Sequence, residues 1–350
     1  MKALIGMSGG VDSSVAAYLM MRSGFDCVGA TMRLYTGQDT GCCSTANIDD
    51  AKAVADRLGI PFHELDFSEE FRTRVMDHFT RSYEAGLTPN PCIECNRHLK
   101  FDLFLQSAFA LGCDCIVTGH YARIAQAGDR YLLRKAADAA KDQSYFLYRL
   151  TQQQLQHTRF PLGELTKAQA RIVAEAQGFV NAKKRDSQDI CFIPDGDYLA
   201  FLQRYTGKTY PAGDYLDQNG KTVGAHKGAV AYTLGQRKGL NLAMGEPVYV
   251  CAKDMENNTV TVGPDAALYH RALLANDWNW ISIENLTAPI RAAAKARSRM
   301  IEQPATVYPE KDGFARVVFD EPQRALTPGQ AVVLYDGDTV IGGGTITEIL

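Results

Sequence analysis

The chain has 350 residues, 46% hydrophobic and 22% charged, and 37 basic against 40 acidic side chains leave a net charge of −3. That length sets an expectation of about two or three domains, and the composition excludes a disordered, collagen-like or low-complexity chain. No apolar run reaches the roughly 18 residues of a membrane span, and the opening MKALIGMSGG meets glycines too early for a secretory leader. The expectation is therefore a soluble, cytosolic enzyme that contacts no membrane; the sequence leaves its oligomeric state open, and a monomer is taken as the expectation. Any nucleic-acid role must rest on a local basic patch.

In chain order, residues 3–7 read as a strand, followed by a glycine turn and an apolar helix over 13–22. Strands at 27–32, 62–66 and 115–118 alternate with helical patterns at 48–58, 69–85 and 101–111. Strands separated by helices of this length imply parallel βαβ units, hence an α/β doubly wound parallel sheet with ligands at the carboxyl ends of its strands. A hairpin over 121–134 and a mainly helical stretch over 143–205 follow, in which Thr166 and Gln169 resemble a capping box. From about residue 210, short β-type runs (248–251, 259–262, 305–307, 315–319, 331–335, 339–349) between glycine turns predict a small β-rich unit and a C-terminal β-barrel or sandwich. The expected divisions are 1–208, 209–270 and 271–350.

GMSGGVDSS (residues 6–14) falls between the first strand and the first helix. Glycines let the backbone approach an anion, and the N–H groups at a helix start hold it. The lysine of a Walker loop is absent, and so is the Rossmann glycine pattern. Asp12, an acid in an anion site, makes sense if it helps hold Mg²⁺ or orders the turn. A glycine-rich turn with Asp12 as a cap is the plain alternative.

Nine cysteines are an odd number and far too few for a disulfide scaffold. Cys27, Cys113, Cys115 and Cys251 lie in apolar runs and read as small core hydrophobes. Cys42-Cys43 read as buried or idle, because adjacent cysteines seldom chelate one metal well. Cys92 and Cys95 form a C-x-x-C.

The string at 6–14 resembles the PP-loop of ATP pyrophosphatases, which split ATP between the α and β phosphates and activate an oxygen as its adenylate. TPNPCIECNRHLKF (88–101), VTGHYAR (117–123), KDQSYFLY (141–148), DSQDICFI (186–193), YTLGQRKGL (232–240) and TPGQAVV (327–333) follow in that order. Together they resemble the bacterial tRNA-specific 2-thiouridylase family across almost the whole chain. The resemblance implies a PP-loop domain, a small central domain and a C-terminal β-barrel. It also implies ATP-dependent insertion of sulfur at C2 of the wobble uridine in tRNAs for Lys, Glu and Gln.

By residue-wise match, Cys191 carries a persulfide and Cys95 is the thiol that attacks it. A helix N-terminus, Arg97, His98 or Lys100 would raise the thiolate fraction, which for a free thiol is small at neutral pH. ATP and Mg²⁺ would meet Gly6, Met7, Ser8, Gly9, Gly10, Val11, Asp12 and Ser13, with the Met32 main chain on the adenine and Gly119 leaving room for the nucleotide. Asn90, Pro91 and Cys92 would line the base pocket. His120, Lys141, Asp142, Gln143, Arg297, Ser298 and Gln330 would contact tRNA, with Lys141, Asp142 and Gln143 at the anticodon arm. The run RAAAKARSR (291–299) is the local basic patch. A persulfide donor, such as a cysteine desulfurase or sulfur relay protein, is the implied partner. Better-known members carry Asp where this chain has Cys92. The resulting C-x-x-C could chelate Zn²⁺ or, with Cys191 as third ligand, hold a [4Fe-4S] cluster on Cys92, Cys95 and Cys191, as in other PP-loop thiolases; a PP-loop adenylating ligase for a small metabolite, which would need neither Cys95 nor Cys191, is a separate alternative.

Overall fold

The computed structural model describes residues 1–35, 44–184 and 190–350, so Cys42, Cys43 and the first four residues of DSQDICFI lie outside the described residues. From the N-terminus β1 (Lys2–Gly6), α1 (Val11–Arg22), β2 (Asp26–Arg33), α2 (Thr45–Leu58) and β3 (Phe62–Asp66) alternate. A helical run joins α3 (Ser68–Phe71), a π-type turn over Arg72–Met76 and α4 (Asp77–Glu84). A second run joins α5 (Pro91–Cys95), π-type winding over Asn96–Leu103 and α6 (Phe104–Ala110), before β4 (Cys115–Val117). The hairpin β5 (Arg123–Ala127) and β6 (Arg130–Arg134) leads to α7 (Ser144–Leu147), α8 (Gln152–Gln156), β7 (Thr158–Arg159), α9 (Lys167–Ala176) and α10 (Tyr198–Thr206).

Strands β1 to β4 and β7 form one parallel sheet in the order β3-β2-β1-β4-β7. Its inner strands are buried on both faces: Ala3, Leu4, Ile5, Ile116 and Val117 are inaccessible, as covering helices require. Chain order reverses between β1 and β4, and the crevice beyond their carboxyl ends is where such a sheet takes its ligand.

Among the described residues the stretch expected as mainly helical over 143–205 holds short helices, the longest being α9. The Thr166–Gln169 capping box is formed reciprocally at 3.3 and 2.8 Å and starts α9. The 91–110 run starts ten residues before the helix expected at 101. Asn90 caps it by accepting from the Cys92 N–H at 3.1 Å, with Pro91 at its first position. The signal was present in the sequence as N-P.

The middle unit is a four-stranded sheet of β8 (Gly213–Leu216), β9 (Thr222–His226), β10 (Tyr249–Asp254) and β11 (Thr259–Gly263), packed around Tyr215, Val250 and Val260. The last unit comprises β12 (Tyr269–Trp280), β13 (Ile290–Lys295), β14 (Gln303–Pro309), β15 (Ala315–Arg324), β16 (Ala331–Asp336) and β17 (Thr339–Ile349). These antiparallel strands run β12-β15-β14-β13-β16-β17, and β12 pairs back onto β17, closing a barrel. The β5–β6 hairpin adds to its outside through Arg134 and Thr339. Strand β12 was not foreseen, because YHRALLANDWNW lacks a clean two-residue alternation; partners on both sides make it a strand. No helix among the described residues is long and apolar enough to cross a membrane.

Candidate nucleotide site and cysteine pair

Beyond Gly6 the chain turns through Ser8-Gly9-Gly10 into α1. Gly9 sits at φ +70°, and a Cβ there would lie 2.1 Å from the Asn47 carbonyl oxygen, so only glycine fits. Gly10 caps α1 without a side chain, leaving the N–H groups of the first turn to face a cavity of about 430 Å³. That volume suits a nucleotide, and the uncapped helix start suits its phosphates. The Ser13 hydroxyl accepts from the Ser8 N–H at 3.2 Å and donates to the Gly10 carbonyl at 3.1 Å; Ser14 donates there at 3.0 Å. These two hydroxyls shape the loop. Met7, Ser8, Val11 and Asp12 complete its side of the cavity.

The charge that a Walker lysine would provide comes from distant segments. Lys100, Lys141 and Lys184 all line the cavity. The Lys184 ammonium holds the Gly9 carbonyl at 3.2 Å and the side chains of Asn47 and Asp50 at 2.5 Å. Lys167, on the first turn of α9, donates to both oxygens of Asp12 at 2.8 Å, and the Tyr121 hydroxyl donates to Asp12 at 2.8 Å. Asp12 is therefore already neutralised and orders the loop. Sequence reasoning missed Lys167 and Lys184; the capping box beside the former was its only signal.

Among the described residues a Mg²⁺ ion would find a single paired carboxylate, Asp12, lining this cavity, so its oxygen ligands there would come mainly from phosphates and water. Among the described residues no group of three or more His, Cys, Asp or Glu side chains is gathered to hold a metal. Cys92, Cys95 and Cys191 thus do not form the three-ligand site an iron–sulfur cluster needs in this arrangement.

Met32 ends β2 on the cavity wall, and Gly119 follows β4. A Cβ on Gly119 would lie 2.7 Å from the Ser13 nitrogen, so this glycine lets the start of α1 pack against the β4 turn. His120 is packed between Phe101 and Phe160 at 5.5 and 6.0 Å, with its Nδ1 2.8 Å from the Thr118 hydroxyl. Burial, and then the Lys100 charge, hold its pKa well below 6.5. It forms part of the wall of this cavity.

Cys95 is buried at the end of α5, while Cys92, one turn earlier, is exposed. Cys191 is half-buried. Helix α5 packs on the Arg72–Met76 turn, and Phe192, next to Cys191, meets Phe71 and Phe79 edge-on at 5.7 and 5.4 Å. Both cysteine segments therefore lie along the helical run 68–84, although 96 positions separate them. The three cations expected to activate Cys95 are engaged elsewhere: Arg97 meets Asp277 at 3.1 Å, His98 meets Glu94 at 3.3 Å, and Lys100 lines the cavity. Cys27, Cys113 and Cys115 are buried and Cys251 half-buried; burial raises each thiol, that of Cys27 to about 11.

The residues expected on RNA fall into two groups. Asn90 caps α5 and Pro91 is buried beneath it. Asp142 accepts from the Ala136 N–H at 2.9 Å and the Ser144 hydroxyl at 2.7 Å, and Gln143 accepts from the Tyr121 N–H at 2.9 Å. Both thus brace the cavity wall that Lys141 shares. The basic patch is largely consumed by the protein. Arg291 makes a two-pronged pair with Asp320 at 2.7 Å, and Lys295 lies over the Tyr145 ring. Arg297 is turned inward to the Ala325 carbonyl, the Thr327 hydroxyl and the Leu234 carbonyl. Ser298 is half-buried and Arg299 exposed. Gln330 donates to the Thr88 carbonyl at 2.6 Å.

Three family profiles tile this chain: a tRNA methyl transferase HUP domain over residues 1–195, a tRNA methyl transferase PRC-barrel domain over 199–264, and an aminomethyltransferase beta-barrel domain over 270–346. The chain is 48% identical over 354 residues to the tRNA-specific 2-thiouridylase MnmA of Acetivibrio thermocellus, covering 99% of both. It is 50% identical over 356 residues to that of Heliobacterium modesticaldum, covering 99% of this chain and 92% of the relative. A solved structure, the U34-tRNA thiolase NcsA from Methanococcus maripaludis with its [4Fe-4S] cluster, matches 58% of this chain and 67% of its own at 18% identity and a TM-score of 0.36, too slight a likeness to carry chemistry. Full-length identity near one half, on a parallel-sheet nucleotide fold followed by a closed barrel, places this chain in the tRNA-specific 2-thiouridylase family.

Proposed function

We propose that this protein replaces the C2 oxygen of the wobble uridine of tRNA by sulfur, using ATP. The observation that carries the reading is the position of the helical run 91–110. It bears Cys95, and five residues later it places Lys100 on the wall of the nucleotide cavity. At about 1.5 Å per residue, sulfur chemistry and ATP chemistry are then within roughly 10 Å along one helix.

Direct displacement of oxygen would require hydroxide to leave. Adenylation of O2 releases pyrophosphate and converts that oxygen into part of AMP, a good leaving group. The α1 N-terminus, Lys100 and Lys141 hold and neutralise the phosphates, while Lys184 braces the loop through Gly9, and Gly119 and Met32 bound the nucleotide. A Mg²⁺ ion bound with ATP beside Asp12 would supply further neutralisation of the departing pyrophosphate. The terminal sulfur of a Cys191 persulfide then attacks C2, and AMP leaves with O2. The Cys95 thiolate attacks the Cys191 sulfur and breaks the S–S bond. The released sulfur stays on C2, and a Cys95–Cys191 disulfide remains for a reductant to reopen.

In this reading residues 1–208 carry the chemistry. Residues 209–270 and 271–350 complete the RNA-facing side, with Asn90 to Cys92 beside the extruded base and Arg299 on the RNA backbone. The enzyme acts in the cytosol as a monomer on tRNAs for Lys, Glu and Gln, and a persulfide-bearing protein supplies sulfur. The test is nucleoside mass spectrometry of tRNA incubated with the protein, ATP-Mg²⁺ and a persulfide source. Wild type should yield 2-thiouridine, while Cys95→Ser and Cys191→Ser should yield none and still bind tRNA. Thiolation near the wild-type level in either variant overturns the assignment.

A further inference from the structure

The cysteine-bearing helix is held by the C-terminal barrel on both sides of Cys95. Ahead of it, the turn joining β15 to β16 grips Thr88. The Thr88 N–H donates to the Pro328 carbonyl at 3.0 Å, and Gln330 donates to the Thr88 carbonyl at 2.6 Å. The approach is close enough that a Cβ on Gly329 would lie 2.7 Å from the Thr88 nitrogen. Just after Cys95, Arg97 reaches strand β12 and pairs with Asp277 at 3.1 Å.

Asp277 is an unusual residue. Its φ is +50°, a conformation that costs a non-glycine residue about 1–3 kcal/mol unless its surroundings impose it. It falls inside the β12–β17 register shift between Asn276 and Asn279, so the bulge turns its carboxylate out of the barrel. There it also receives Arg149, whose side chain is 4% exposed, at 2.6 Å. Arg149 additionally donates to the Asp277 carbonyl at 2.6 Å and the Thr345 hydroxyl at 2.9 Å. On the far side of the bulge Asn279 donates to the carbonyls of Tyr148 and Leu150 at 2.6 and 3.0 Å. The segment so clamped holds the cysteine helix in turn: the buried Asn96 donates to the Phe146 carbonyl at 3.0 Å. A strained residue, a bulge and a shared carboxylate converge on the turn that follows Cys95. That turn has π-type winding, a local distortion often found at functional sites.

We infer that Asp277 is a positioning residue for the nucleophile. Through Arg97 and Arg149 the barrel sets where the Cys95 helix lies over the nucleotide cavity, so the barrel is a frame for the sulfur step as well as an RNA-facing surface. The inference deepens the thiolation reading and rests on it.

The test uses full-length Asp277→Asn and Arg97→Gln, the latter leaving the buried Arg149–Asp277 pair intact should the former fold poorly. Amide hydrogen exchange is read without substrate; single-turnover thiolation and tRNA-dependent pyrophosphate release are read with it. In both variants exchange over 91–103 should quicken while β1 and β4 keep their protection. The thiolation rate should fall between about tenfold and 10²-fold, as a misplacement near 1 Å does, with the KM for tRNA and pyrophosphate release within about twofold. The pH midpoint of the rate should stay in place, Arg97→Lys should recover most of the loss, and the double variant should be no slower than the worse single. Unchanged exchange, additive losses, or a shifted pH midpoint with unchanged exchange would overturn the inference. Should the wild type make no 2-thiouridine, the functional reading fails, and exchange alone decides the positioning role.

Discussion

The ammonium of Lys167 donates to both carboxylate oxygens of Asp12 at 2.8 Å, across 155 positions of sequence. The acid that stands in the phosphate loop is therefore matched by a base from the start of α9, and the cavity presents no net repulsion from Asp12 to an incoming triphosphate.

Removing that ammonium should be costly. Among the described residues Lys167→Met leaves Asp12 the Tyr121 hydroxyl as its side-chain donor, and loss of a hydrogen bond to a charged group costs about 1.5–3 kcal/mol. The KM for ATP should rise roughly tenfold to a hundredfold, and Asp12→Asn added to Lys167→Met should recover part of it. Initial rates of pyrophosphate release against ATP concentration give the answer; an unchanged KM would show that the pair has no part in nucleotide binding.

Gly119→Ala places a methyl group 2.7 Å from the Ser13 nitrogen and 2.8 Å from the Asp12 carbonyl carbon. Backbone cannot give way there as a flexible side chain could, so overpacking of about 1–3 kcal/mol is expected. The melting temperature should fall, and bound ATP should restore less of it than in wild type. Calorimetry with and without nucleotide checks both.

Thiol labelling should sort the cysteines. Cys27, Cys113 and Cys115 are buried with raised pKa values, that of Cys27 near 11, so they should resist iodoacetamide at pH 7.5 in the native state. Cys92, exposed on α5, should be alkylated before any of them. Peptide mass mapping over a time course reads the order, and early labelling of Cys115 would contradict the packing.

Arg297 separates sequence expectation from structure. Read as an RNA contact, its neutralisation lowers the salt dependence of tRNA binding by about one counterion. Its guanidinium instead holds the Ala325 and Leu234 carbonyls and the Thr327 hydroxyl. Arg297→Met should therefore destabilise the fold by about 1–3 kcal/mol through unsatisfied acceptors with little change in the salt slope. Arg299→Ala, at an exposed position, should do the opposite. Denaturant titration beside binding at several salt concentrations distinguishes them.

Acid should loosen the barrel clamp. Burial pushes the Asp277 carboxyl up, but hydrogen bonding and charge from Arg149, then from Arg97, outweigh it and hold the group below 3.8. Glu94 is likewise held below 4.5: burial raises it, and His98, His78, Arg149 and Arg97 lower it further. A lowered native pKa contributes stability that is present above the unfolded value near 4 and is lost as pH falls through the native one. Exchange over 91–103 should accelerate below about pH 4 in wild type and depend less on pH in Asp277→Asn.

Local pattern determined a great deal. Alternation of apolar strands with helices spelled out the parallel sheet, and GMSGGVDSS marked the glycine turn that leads into α1 beside the cavity, because both depend on interactions within a few residues. The motif cysteines were visible as well, through the strings around them. Tertiary structure alone decided which charges gather at the loop and which turn away from it. Lys167 and Lys184 arrive at the loop from beyond residue 160, while Arg297, in a run that reads as a surface patch, turns inward to carbonyls. Strand β12 and its bulge at Asp277 exist because partners close a barrel around them. Such outcomes follow from long-range pairing and desolvation, where a charge is worth little in water and much against a buried partner. Periodicity records neither.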